Sequence, residues 1–257
     1  MLPAYSLTDP SVLLFIVVPI ALAAAITAGI WFAWRRSGEP AAAAARAAAL
    51  MAAGCAAWMA ITWVVADRGT FREWDRVPPS MAILVVLIVI VSARLTMGGA
   101  GRRLAAHVPL WILVAVQGFR LPLELAMHRL FERGIMPEQM SYSGRNFDVV
   151  TGATALIVAA LVASGRGGRP LVAAWNAIGL ALLLNIVVVA IVSMPMFALF
   201  GPERLNVWVT YPPFIWLPAV MVLAALTGHL IIFRALGRGQ DPRGDAGRPG
   251  LGIATDN

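Results

Sequence analysis

Four polar or charged residues lie at regular spacing inside an otherwise apolar stretch of the chain. They are Gln117, Arg120, Glu124 and His128, three or four positions apart. On an α-helix this spacing places all four on one face. A charged group in a membrane helix costs about 2.5–3.5 kcal/mol on insertion scales unless it is paired or solvated. The set therefore predicts an Arg120–Glu124 ion pair, or a polar cavity in which Arg120 binds an anion or Glu124 relays protons.

The same face also offers side chains that bind metals. Glu124, His128 and Glu132 follow one another at i, i+4 spacing, which can align ligands for one metal ion. Two histidines predicted on one side of the membrane, His107 and His229, offer a haem site as a second arrangement. Lone histidines at helix ends more often lie at the membrane interface. The sequence therefore names no cofactor, and metal or haem binding stays an alternative.

The densest polar motif is PEQMSYSGRNFD, residues 137–148. Gly144 permits a tight turn, and Asn146 or Asp148 can cap a helix that begins there. One interpretation is a loop that does no more than cap this helix. The other is that Arg145 and the helix N-terminus form an anion site near Arg120.

Together these residues form a predicted ligand-binding pocket. Glu124 and His128 rise along one helix towards the loop that carries Arg145, so we expect these three to line a cavity open to the outer face. Its mixture of charges suits an anionic or zwitterionic small molecule. The predicted pocket consists of Arg120, Glu124, His128, Arg145, Asn146 and Asp148.

The elements that position these residues are apolar helices. Hydrophobic residues make up 60% of the 257-residue chain, charged residues 13%, and the mean hydropathy is +0.80. A soluble domain has about 25% charged residues. Because a bilayer core needs about 20 apolar residues per helix, we predict an all-α bundle of seven transmembrane helices. The bundle forms one domain, residues 1–238. Residues 239–257 are predicted to be a disordered cytoplasmic tail. The predicted spans are 11–34, 44–66, 79–98, 107–130, 148–165, 171–196 and 213–236.

The distribution of arginines predicts the orientation of this bundle. All twenty basic residues are arginines, and they are most frequent in the loops that become cytoplasmic if the N-terminus is outside. The net charge of +7 then reflects membrane orientation rather than nucleic-acid binding. We therefore expect the N-terminus outside and the C-terminus in the cytoplasm. A belt of aromatic residues is predicted to anchor the helices at the membrane interface: Trp63, Trp74, Trp208, Tyr211 and Trp216.

Four motifs carry a resemblance to other proteins: RLPLE (120–124), PEQMSYSGRNFDVVTGATA (137–155), WNAIGLALLLNIVVVAIVSMP (175–195) and PPFIWLP (212–218). Across residues 107–237 the chain resembles a family of uncharacterised bacterial multi-pass membrane proteins. Tyr142-Ser143 stands where that family typically has Phe-Glu. The resemblance implies about seven helices in the bacterial inner membrane, and it implies no activity. It singles out five of the pocket residues: Arg120, Glu124, Arg145, Asn146 and Asp148.

Three classes of function remain open. The preferred one is transport or binding of a small molecule that reaches the pocket from the outer side. The second is a membrane-embedded enzyme, or a metal- or haem-binding protein, that uses Glu124 or His128. The third is a structural or assembly partner in a membrane complex. A retinal pigment is excluded because the sequence has no lysine to form the Schiff base.

Overall fold

The computed structural model describes residues 4–238, and this part of the chain is helical without any β-strand. The predicted tail, residues 239–257, lies outside the described residues. The all-α prediction is confirmed. The α-helices are α1 (Pro10–Arg36), α2 (Ala41–Asp67), α3 (Ser80–Met97), α4 (Gly99–His107), α5 (Leu110–Val116), α6 (Arg120–Glu132), α7 (Asp148–Ala163), α8 (Arg169–Val192) and α9 (Leu223–Gly237).

Several helical segments are long and apolar enough to cross a membrane. Within residues 4–238 there are six: Pro10–Arg36, Ala41–Asp67, Ser80–Met97, Leu110–Glu132, Arg169–Val192 and Leu217–Gly237. Helix α7 is also apolar but has only 16 residues, whereas a bilayer core is usually spanned by about 20. The protein is therefore a multi-pass membrane protein with six candidate spans and one shorter apolar helix.

A short amphipathic helix, α4, occupies the segment between the predicted spans 79–98 and 107–130. It exposes Arg102 and buries Leu104, and it ends at His107. The fourth span begins at Leu110 rather than at the predicted position 107, because Pro109 has no amide hydrogen with which to continue the preceding helix.

Two ion pairs mark the two ends of the bundle. At one end, named here the N-terminal face, the Arg133 guanidinium pairs with the Asp9 carboxylate just before α1. The loop 133–147 therefore starts beside the N-terminal segment. At the other end, the opposite face, Arg103 Nη2 donates to Glu39 Oε1 at 2.8 Å and joins α4 to the α1–α2 loop.

The core below the N-terminal face is aromatic. Trp208 is fully buried, and its ring makes edge contacts with Phe15 and Phe214 at centroid distances of 5.7 and 5.1 Å. The predicted role of Trp208 as an interfacial anchor is thus wrong. Its loop folds back over α1, so the indole packs inside the bundle instead of facing lipid.

Pro122 distorts the helix that carries the charged face. It has no amide hydrogen to donate to the Gly118 carbonyl. Directly before it, the span Leu110–Glu132 tightens into a 3-10 turn at Gln117–Phe119, between α5 and α6. The distortion at Pro122 therefore takes the form of a local change of helix type, and Arg120 is the first residue after it.

A second distortion precedes α9. Residues Leu217–Val222 form a π-helical segment, called here the π segment, which contains Pro218. Its Ala219 carbonyl accepts a hydrogen bond from Trp58 Nε1 at 2.8 Å. Single π-helical turns occur frequently at functional sites, and this one adjoins the cavity described below.

Candidate functional site

The loop after α6 runs back into the bundle along the helix that precedes it. Its contacts with α6 occur at steps of one helical turn, and they deepen along the chain. The pairs are His128 Nδ1 with Ser141 Oγ (2.9 Å), Asn146 Nδ2 with Glu124 Oε2 (2.7 Å) and Arg120 Nη1 with Asp148 Oδ1 (2.9 Å).

This descent explains why α7 is short. From His128 to Arg120 the helix falls by eight residues, or about 12 Å, and α7 begins only at the end of this descent. Non-helical backbone at membrane depth is tolerated where protein or a cavity surrounds it. The loop 133–147 therefore lies alongside α6 within the bundle and carries polar side chains into the interior.

The deepest of these contacts is a buried ion pair. The side chains of Arg120 and Asp148 are 1% and 7% exposed. Arg120 donates through Nη1 alone: within the described chain, its Nε and Nη2 atoms are buried and have no hydrogen-bond partner. Two charged donors are thus left unused in the interior, where an unsatisfied donor is costly.

Asn146 holds the loop in place from three directions. Its Nδ2 donates to Glu124 Oε2 and, at 3.1 Å, to the Met140 carbonyl. Its Oδ1 accepts from the Asp148 amide at 3.1 Å, which satisfies the first free amide of α7. Asn146 therefore satisfies the first amide of α7 from the position before the N-cap residue Phe147, and it binds Glu124 as well. Arg120, Glu124, Asn146 and Asp148 are named here the polar cluster.

Two glycines allow the close approach that this arrangement needs. A Cβ on Gly152 would lie 2.4 Å from the Leu121 amide nitrogen, so α7 touches the backbone of α6. A Cβ on Gly144 would lie 2.3 Å from the Glu138 carbonyl oxygen, so the loop closes on itself there. A larger residue at position 152 would push α7 away from α6, and one at position 144 would prevent the loop from closing on itself.

The predicted ion pair between Arg120 and Glu124 does not form. Arg120 pairs with Asp148, and Glu124 binds the Asn146 amide. The spacing on the helix allows the intrahelical pair, but the descending loop brings competing partners to both side chains. The correct partners are 28 and 22 positions away in sequence, so the local pattern did not indicate them.

Arg145 lies apart from the polar cluster. Its side chain is exposed, with the guanidinium 5.2 Å from the centroid of the Phe200 ring. Along the loop, exposure alternates: Arg145 and Phe147 face outward, whereas Asn146 and Asp148 are buried. The expectation that Arg145 lines the same pocket as Glu124 is therefore not met, because Glu124 lines the cavity described below and the outward-facing Arg145 does not.

His128 fastens the upper part of the loop. Its ring stacks on Tyr142 at a centroid distance of 4.3 Å, and its Nε2 lies 3.6 Å from Glu132. Serine, histidine and glutamate in a row can suggest a nucleophile. Here Ser141 is fully buried and its Oγ also accepts from the Ser143 amide at 3.4 Å, so the row ties the loop to the helix.

A cavity of about 140 Å³ adjoins the polar cluster, and all four cluster residues line it. Neither His128 nor Arg145 does. The remaining wall is mostly apolar and comes from α3, α8 and the π segment, including Met81, Ile88, Leu183 and Met221. The site is thus a mainly apolar space with one polar side, rather than the polar pocket that we predicted.

Gln117, the innermost residue of the predicted face, lines a different cavity. It donates weakly to the Ala225 carbonyl, at 3.3 Å, and lines a separate cavity of about 190 Å³. Its amide fits against Gly228, where a Cβ would lie 2.1 Å from Nε2. Gln117 and Arg120 therefore line two different cavities, and the four residues of the predicted face do not share one site.

His229 is buried in the interior instead of lying at the interface. Its Nδ1 is 2.7 Å from Asn176 Oδ1, and the Asn176 amide donates to the His229 carbonyl at 3.1 Å. Its Cε1 lies 2.8 Å from the place of a Cβ on Gly179, so this edge of the ring faces the backbone of α8. A histidine and an asparagine in two apolar helices were the only sequence signal for this link.

The described residues contain no group of three or more His, Cys, Asp or Glu side chains that could hold a metal ion. Glu124 and His128, two of the predicted metal ligands, are bound to Asn146 and Ser141.

A family model described as a domain of unknown function (DUF8737) matches residues 77–237. The chain belongs to the DUF8737 family. The match includes the whole polar cluster, the descending loop and every helix that lines the adjoining cavity. No curated protein and no solved structure matches the chain. For this DUF8737 member, function has to be inferred from the site.

Proposed function

We propose that the chain crosses the bacterial inner membrane seven times, with the N-terminus outside and the C-terminus in the cytoplasm. Helix α7 has 16 residues, or about 24 Å of helix, and the descending loop supplies the rest of that crossing. The arginine excess in loops of the opposite face supports this orientation. The N-terminal face is then the outer face.

We propose further that the polar cluster binds, and in transport passes on, a small anionic or zwitterionic molecule. One observation supports this most directly: Arg120 is buried beside a cavity while two of its guanidinium nitrogens lack partners. A purely structural brace would satisfy these donors, because nearly all buried polar groups in proteins are hydrogen-bonded. A ligand with a negative group would satisfy them.

The shape of the site supports the same function. Transporters often place their binding sites at interruptions of membrane helices, where freed backbone and charged side chains face a cavity. Here three interruptions meet: the 3-10 turn before Arg120, the loop that ends at Asp148 and the π segment. Each brings residues to the wall of the same cavity.

The test is ligand-dependent stabilisation of the purified protein in detergent. Phosphoethanolamine and inorganic phosphate at millimolar concentration should raise the Tm of the wild type, because a ligand that binds only the folded state stabilises it. Arg129→Gln, which changes an exposed arginine on the same helix, should respond like the wild type. Arg120→Gln should not respond.

Two outcomes would contradict the proposal. One is a wild type whose Tm does not change with either probe, which would favour a structural or assembly role. The other is an equal response of wild type and Arg120→Gln. If Arg120→Gln does not fold, Glu124→Gln replaces it: this variant keeps an acceptor for Asn146 and should bind phosphate at least as well as the wild type. Uptake of phosphoethanolamine into proteoliposomes separates transport from binding.

A further inference from the structure

The cavity beside the polar cluster reaches the lipid-facing surface of the bundle. Val89 of α3 and Leu184 of α8 both line it, and they are 54% and 50% exposed. Both lie well inside their apolar helices, so their exposed sides face hydrocarbon. A gap between α3 and α8 therefore connects the cavity with the membrane interior.

The route from the N-terminal face is closed, in contrast. Met140 and Met194 are buried in the cavity wall on that side. Beyond Glu124 along α6, His128 is bound to the fully buried Ser141 and stacked on Tyr142. The gap between α3 and α8 is thus the direct way in for a ligand dissolved in the bilayer, whereas a ligand dissolved in water reaches the cluster only when the contacts on the N-terminal face open.

The charges of the cluster specify the head group of such a ligand. Arg120 is paired with Asp148, whereas Glu124 accepts from Asn146 and forms no ion pair with any described residue. The cluster therefore has one acidic group more than it has basic groups. A ligand that carries an anion for the free nitrogens of Arg120 and a cation for Glu124 complements both.

We propose that the ligand is a single-chain zwitterionic amphiphile that enters from the bilayer between Val89 and Leu184. The proposal rests on the function proposed for the polar cluster. The compact head occupies the cavity, whose volume of about 140 Å³ is close to that of an engineered cavity that holds benzene. The chain stays in the gap between α3 and α8 and extends into the lipid.

The test is equilibrium binding of lysophosphatidylethanolamine with a fluorescent chain to the protein in nanodiscs. Lysophosphatidic acid with the same chain lacks the ammonium group and should bind more weakly. Val89→Trp places an indole in the opening and should weaken binding on the order of tenfold, as expected when an added ring overfills a gap. Its matched control is Val86→Trp, on the same helix and 56% exposed but outside the cavity wall; it should bind like the wild type.

A second pair of measurements tests the head group. In Glu124→Gln the preference for the ethanolamine lipid over lysophosphatidic acid should disappear, while the hydrogen bond with Asn146 remains possible. Because Val89 and Val86 face lipid, their variants keep the buried core and allow the test even if variants of the cluster unfold.

The outcomes separate this inference from the proposed function. Equal binding by Val89→Trp and Val86→Trp would overturn lateral entry. If phosphoethanolamine, which has no chain, stabilises the protein through Arg120 while the lysolipid binds no more tightly, the proposed function stands and the amphiphile does not. If no probe depends on Arg120, both are wrong.

Discussion

Asn146 Nδ2 lies 2.7 Å from Glu124 Oε2, and the same side chain accepts the Asp148 amide that begins α7. One amide group therefore decides both how deep the loop descends and where the next helix starts. Two guanidinium nitrogens of Arg120 have no hydrogen-bond partner among the described residues. Glu124 accepts its hydrogen bond from Asn146 instead, and Asp148 accepts from Arg120 through Nη1 only.

Replacing Asn146 should loosen the loop. Asn146→Ala removes a hydrogen bond to a charged acceptor and the cap of α7, so we expect the free energy of unfolding to fall by about 2–4 kcal/mol. Asn185→Ala is the control, since Asn185 makes one exposed hydrogen bond to the Arg145 carbonyl and should cost about 1 kcal/mol or less. Denaturant titration in micelles measures both, and equal losses would show that Asn146 does not hold the loop.

The Arg120–Asp148 pair should show strong coupling. Arg120→Met or Asp148→Leu alone leaves one buried charge unpaired and should destabilise by about 3–5 kcal/mol. The double variant should lose clearly less than the two single losses combined. The Arg103–Glu39 pair, whose side chains are 35% and 36% exposed, is the control, with an expected coupling of about 0–1 kcal/mol. Additive losses at Arg120 and Asp148 would contradict a stabilising pair.

Gly152→Ala should separate α7 from α6. The added methyl group would meet the Leu121 amide nitrogen at 2.4 Å, and overpacking of this kind costs about 1–3 kcal/mol. Gly54→Ala is the matched control, because a Cβ there meets nothing within 4 Å and alanine favours helix over glycine. Its stability should stay equal or rise. Thermal unfolding measures the stability of both variants. If Gly152→Ala is as stable as the wild type, the two helices can move apart without cost.

Asp9 should make stability depend on acid pH. Partial desolvation raises the pKa of Asp9, but hydrogen bonds from the Ser11 amide and from Arg133 outweigh it, so that the pKa lies below its ordinary value of 3.8. A depressed pKa in the folded state stabilises the protein above pH 3.8, and this contribution is lost as pH falls through the lower, folded value. Asp9→Asn keeps a capping side chain without the charge.

The measurement compares the unfolding free energies of wild type and Asp9→Asn across the acid range. The difference between the two free energies should be constant near neutral pH. It should shrink once the pH falls below the pKa of a free aspartate. A difference that grows towards low pH would mean that the carboxylate is not stabilised by its partners.

Reporter fusions test the proposed topology. Fusions after Arg36, after Gly99 and at the C-terminus should report the cytoplasm, and fusions after Arg72 and Met140 should report the outside. These positions follow from the arginine excess in the loops of the opposite face. A cytoplasmic signal at Met140 would remove the seven-span arrangement, because the loop that carries the site would then be on the wrong side.

The apolar helices, and the charged residues that lie within them, were predictable from the sequence. Hydropathy over about 20 residues depends only on neighbours along the chain, so the long spans can be read directly from the sequence. Arg120 and Glu124 were recognisable as important because charge inside an apolar segment is costly wherever the helix packs. The capping role of Asn146 was also local, since a cap acts within a few residues.

The partners of those charges were decided only by the tertiary structure. Helical spacing predicted Arg120 with Glu124, yet the descending loop offers Asp148 and Asn146 from 28 and 22 positions away. The same loop turns Arg145 outward and Asn146 inward, and no periodicity of the sequence fixes which of two adjacent loop residues is buried. Side chains in a packed interior bind whatever group the fold places nearest, so their pairing depends on contacts between distant segments, which a local pattern does not contain.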